Sequence, residues 1–155
     1  MRKKRAEKRK IQPDPKYQNI LVAKFINRLM KDGQKLTAQK VLYQSFNLIE
    51  KQKKDPLAIF EQAIKNITPT IEVRSKRVGG ANYQVPQPVR SDRQISLAIR
   101  WVITICQKKS GQPMAERLAK EFLAASQNEG EALKRKENVH KMAEANKAFA
   151  HFARH

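Results

Sequence analysis

Carboxylates are scarce in this sequence: 14 Asp and Glu face 33 Lys and Arg in 155 residues, leaving a formal charge of +19. So few acids, dispersed through amphipathic segments, give no sign of an acid–base catalytic pair. There is one cysteine, Cys106, which excludes an internal disulfide and a multi-cysteine zinc site and suits a reducing compartment. No apolar run approaches the roughly 20 residues that span a bilayer, and no apolar stretch follows the basic N-terminus as in a secretory signal. Aromatic residues amount to six Phe, three Tyr and one Trp. Phe25, Phe46, Phe60, Trp101 and Phe122 occupy core-facing helical positions, which leaves few rings for a single-strand stacking platform. His140 and His151 are eleven residues apart, too far along one helix to share a metal, and His155 is terminal. The glycine loops of nucleotide binders, the nucleophile elbow and the paired-histidine metalloprotease motif are all missing. The sequence therefore predicts a non-enzymatic, soluble, intracellular and compact chain without cofactor, metal or membrane partner.

What is present is helical periodicity. Residues 1–12 read as a flexible basic arm, and a single domain is expected over 13–155, entered through Pro13 and Pro15. Val22, Phe25, Ile26, Leu29 and Met30 mark one helix face from Asn19, with Gly33 as its stop. A second stripe predicts a helix over 35–53. Asp55-Pro56 caps a third, which Thr68-Pro69 ends. Over about 70–89 the period changes to two around Gly79-Gly80, predicting a β-ribbon with Val78 opposite Ala81 and Lys76 opposite Tyr83. A fourth helix, capped by Asp92, is apolar around most of its circumference and should be the buried centre. A fifth follows Pro113 and closes at Gly130. A sixth carries Val139, Met142, Ala145, Phe149 and Phe152 inward. The fold class is mainly α: six helices in one domain, with a protruding two-stranded β-ribbon.

The cations are grouped. Arg2, Lys3, Lys4, Arg5, Lys8, Arg9 and Lys10 fill the arm. Lys31 and Lys35 flank the Asp32-Gly33 turn, and Lys134, Arg135 and Lys136 open the last helix. Between Val73 and Ala115 the only acid is Asp92, against Arg74, Lys76, Arg77, Arg90, Arg93, Arg100, Lys108 and Lys109. Clusters without balancing acids point to a polyanion, and the aromatic shortage points to recognition through shape and phosphates.

The stretch Val73-Arg-Ser-Lys-Arg-Val-Gly-Gly-Ala-Asn-Tyr-Gln-Val-Pro86 and the run His140-Lys-Met-Ala-Glu-Ala-Asn-Lys-Ala-Phe-Ala-His-Phe152 closely resemble the signatures of the universal small-subunit ribosomal protein seven family, in its bacterial and organellar form. Pro13-Asp-Pro15, Asp32-Gly33-Gln-Lys35 and Thr68-Pro69 fit the same pattern. The resemblance implies a structural constituent of the small ribosomal subunit, on a cytoplasmic or an organellar ribosome. Such a protein binds the 3′ major domain of small-subunit rRNA and nucleates head assembly. It also implies a ribbon near the exit-site tRNA and the mRNA path, with small-subunit proteins eleven and nine as neighbours. Carried across, Lys76, Arg77, Val78, Gly79, Gly80, Ala81, Asn82 and Tyr83 form the ribbon end nearest tRNA and mRNA. Lys35, Arg93 and Lys109 face rRNA. The competing reading is a helix-turn-helix or winged DNA binder, in which Gln62, Lys65 and Asn66 of the third helix would read bases.

Overall fold

The structure, a computed structural model, describes residues 9–154; Arg2, Lys3, Lys4, Arg5, Lys8 and His155 lie outside the described residues. Asn19 is extended, and its side chain accepts from the amides of Leu21 and Val22. That cap starts α1 (Ile20–Leu29). The helix ends before the expected stop: Met30 is its C-cap, and Gly33 (φ +74°) sits beyond it in a turn with Asp32 (φ +50°). α2 (Lys35–Glu50) likewise ends short of residue 53, where Lys53 is left-handed. α3 (Pro56–Ile67) begins as expected, with the Asp55 carboxylate accepting from the Leu57 amide and Pro56 at the first position, where its missing N–H costs nothing.

β1 (Ile71–Val78) and β2 (Ala81–Pro88) pair antiparallel in the expected register, Val78 opposite Ala81 and Lys76 opposite Tyr83. Gly79 and Gly80, at φ +57° and +89°, supply the two positive angles that a two-residue hairpin turn demands. The base of the ribbon is not free of the domain: Val85 is fully buried and Glu72 nearly so.

Arg90, not Asp92, is the N-cap of α4 (Ser91–Lys108). Asp92 falls inside the first turn, where a carboxylate still favours the positive helix end. Nor is α4 the centre of the molecule. One side buries Leu97, Ala98, Ile99, Val102, Ile103 and Cys106, but Trp101 is only partly buried and Arg100 is exposed. The centre is a cluster of four phenylalanines from other elements: Phe25 of α1, Phe46 of α2, Phe60 of α3 and Phe122 of α5 (Met114–Ser126). All four are fully buried, with linked ring centroids 5.3 to 6.4 Å apart, mostly edge-to-face. Each such burial contributes about 1.5–3 kcal/mol, and the edge-to-face geometry adds to it.

Gly130 does not close α5, which ends at Ser126; it is the N-cap of α6 (Glu131–Ala145), at φ +97°. α6 buries only Ala132 and Ala143, whereas Met142 and Ala145 face solvent. Its predicted stripe runs past the real end of the helix. Asn146 caps it, with the side-chain amide donating to the Met142 carbonyl at 2.8 Å, and the chain continues as a 3-10 helix, Lys147–Arg154. The break lets Phe149 and Phe152 reach back to Tyr83 on β2, each with its centroid 5.1 Å away.

Candidate nucleic-acid interface

The chain enters the domain through a buried carboxylate. Asp14, 2% exposed, accepts from the amides of Lys16 and Tyr17 and from the Tyr43 hydroxyl at 2.8 Å. This anchor holds the segment that carries Arg9 and Lys10, both exposed. They border a groove of about 880 Å³ between that segment, α1 and α4. Ile20, Ile95 and Ile99 contribute apolar surface, while Lys24, Arg28 and Arg100 join the arm cations among the lining residues. Among the described residues Asp92 is the one acid lining it.

Lys24 and Arg28 do not stand out in the sequence as binding residues, because each is an isolated cation within a helix. The signal is their spacing: Ile20, Lys24 and Arg28 recur every four residues, on the side of α1 opposite Val22, Phe25, Ile26 and Leu29. Arg100, counted only within an acid-poor window, faces the same groove from α4.

The other sequence-predicted cations divide into exposed groups and groups already engaged. Lys31, Lys35, Arg77, Lys134 and Arg135 are exposed. Lys76 is partly buried, and its ammonium donates to the Phe152 carbonyl at 2.7 Å. Arg93 pairs with Glu72, its Nε 2.9 and 2.8 Å from the two carboxylate oxygens, and Arg74 holds the same carboxylate at 2.6 Å. Lys136 donates to the Asn66 carbonyl at 2.6 Å. Lys109 donates to the buried Glu121 at 2.9 Å and lies 3.4 Å from Glu131. Burial works against the charge of Lys109, but the bond to Glu121 and the two carboxylate charges outweigh it, so its pKa lies above the usual lysine value. Apart from Arg74 to Glu72, both on β1, these contacts tie together different elements, a structural task that spacing alone does not disclose. At the ribbon end Gly79, Gly80, Ala81 and Asn82 are exposed, Val78 is partly buried, and Tyr83 lies against the 3-10 helix.

Of the residues suggested as DNA base readers, Lys65 is exposed, whereas Asn66 and Gln62 have other work. Asn66 donates to the carbonyls of Ala125 and Ser126, and Gln62 donates to Asn66. Cys106 is buried, and desolvation raises its thiol to about 12, so it remains protonated and unreactive. His140 on α6 accepts from the Thr70 amide through Nε2 at 3.3 Å; burial first, then neighbouring Lys136, lowers its pKa and favours the neutral ring this bond needs.

Compared with known proteins, residues 1–147 match the family model described as ribosomal protein S7p/S5e. The chain is 56% identical over 153 residues to the small ribosomal subunit protein uS7 of Thermotoga neapolitana, covering 98% of this chain and 99% of that one. It is 58% identical over 152 residues to the protein of the same name from Pseudothermotoga lettingae, covering 97% and 98%. With that from Rhodopseudomonas palustris the identity is 55% over 152 residues, covering 97% of each.

Proposed function

The chain belongs to the ribosomal protein S7p/S5e family, and on that premise we propose that it is a primary binder of the 3′ major domain of small-subunit rRNA, nucleating assembly of the subunit head. Membership makes it a non-enzymatic structural constituent of the small subunit, bound there to small-subunit rRNA on the cytoplasmic ribosome. The observation that carries the finer reading is the groove between α1 and α4, whose charged lining, among the described residues, is cationic except for Asp92. Phosphates of a folded junction would settle on Arg9, Lys10, Lys24, Arg28 and Arg100. The arm residues Arg2 to Lys10 extend the same charge, and Lys31, Lys35, Arg77, Lys134 and Arg135 add separate contacts. Arg93, Lys109 and Lys136 contribute chiefly by holding the elements that carry the others. The ribbon end from Lys76 to Tyr83 lies toward the exit-site tRNA and the mRNA path, and small-subunit proteins eleven and nine are the neighbouring proteins.

Competition tests the reading. A transcript of the 3′ major domain should displace labelled duplex DNA from the protein at equal phosphate concentration, and Lys24→Ala with Arg28→Ala should weaken transcript binding while leaving helical content unchanged. Preference for the duplex, or equal transcript binding by the double variant, would overturn the assignment.

A further inference from the structure

The helix that presents Lys134 and Arg135 is poorly secured by apolar packing, since α6 buries only two alanines. Its place is fixed instead by polar contacts: the Ala132 amide donates to Glu121 Oε1 at 2.9 Å, Lys136 donates to the Asn66 carbonyl, and His140 accepts from Thr70. The first of these is unusual. Gly130, the N-cap, has no side chain to satisfy the orphan amides of the first turn, and a carboxylate from another helix does so. The vacancy is what admits it, because a Cβ on Gly130 would come within 3.0 Å of that same carboxylate oxygen. Glu121 is 2% exposed and its second oxygen receives Lys109, so both oxygens are occupied. One turn earlier on α5, Arg117 donates to the carbonyls of Cys106 and Lys109 at the end of α4. A cation thus meets the carboxyl end of one helix and an anion the amino end of the next, as the helix dipoles require.

We infer that Glu121 is a positioning residue for RNA binding: by capping α6 from α5 it fixes where Lys134 and Arg135 stand against the phosphates. This rests on the proposed role of Lys134 and Arg135. The buried cluster around the phenylalanines takes only Ala132 from α6, so loss of the cap displaces α6 without unfolding the domain.

The full chain, Glu121→Ala, Glu121→Gln, Lys134→Ala/Arg135→Ala, and Glu121→Ala combined with that pair would be titrated against the 3′ major-domain transcript at several salt concentrations, with helicity followed by circular dichroism. Losing two phosphate contacts makes the slope of log affinity against log salt shallower by about 1.5. Glu121→Ala should keep its helical signal and show that change, the lysine–arginine pair should show the same, and the combination should go no further. Glu121→Gln retains an acceptor for the Ala132 amide and should keep the parental slope. An unchanged slope in Glu121→Ala, fully additive losses in the combination, or collapse of its helical signal would overturn the inference. An unchanged slope in Lys134→Ala/Arg135→Ala would instead overturn their assignment as phosphate contacts, a result that Glu121→Ala alone cannot produce.

Discussion

The phenol of Tyr43 donates to Asp14, lying 2.8 and 2.9 Å from its two oxygens, with the Lys16 ammonium over the ring. Burial and then the bond to Asp14 raise the phenol to about 12. Tyr43→Phe leaves a buried carboxylate short of a donor and should cost about 1.5–3 kcal/mol, measured as a lower urea midpoint at unchanged slope. The folded phenol keeps its proton where the unfolded one loses it, so this contribution is complete below pH 10 and declines from there to about 12. The variant should lack that decline. Little of this is legible in the sequence, where Asp14 reads only as part of an extended Pro-Asp-Pro entry. Its partner lies 29 residues away, and helical periodicity places Tyr43 beside a stripe without saying what its hydroxyl meets. Glu121 is hidden for the same reason: an acid inside an amphipathic helix reads as solvated until another helix end is brought to it.

At the scale of elements, the ribbon was the most legible part. Gly79-Gly80 fixes the turn, the turn fixes the register, and the pairing follows residue by residue. Its companion, the 3-10 helix, was not legible, since apolar spacing over 139–152 fits one continuous α-helix and nothing local announces that Phe149 and Phe152 must turn toward Tyr83. Lys76 and Arg77 therefore have different tasks despite adjacency. Lys76→Ala should loosen the C-terminal segment, seen as faster amide exchange over 147–152, whereas Arg77→Ala should leave exchange unchanged and weaken RNA binding alone. Equal exchange in the two variants would mean that Lys76 does not hold the segment.

For the whole molecule, grouped charge pointed from the sequence to a polyanionic partner, apolar periodicity to a mainly helical domain, and the long motifs to the family. What composition could not supply was the division of labour among cations, because Glu72 to Arg93 and Asn66 to Lys136 are contacts that only the fold creates. If the exposed groups and the groove neutralise about eight phosphates, log affinity should fall with log salt at a slope between roughly −5 and −7. A measured slope near −1 would contradict a phosphate-driven interaction. The phenylalanine cluster has a mechanical consequence. Its rings come from α1, α2, α3 and α5, and α4 adds Ala98, Ile99, Val102, Ile103 and Cys106 to the same buried cluster, whereas α6 adds only Ala132. Sparse burial makes α6 the flank that should open first, so its amides should exchange faster than those of α4.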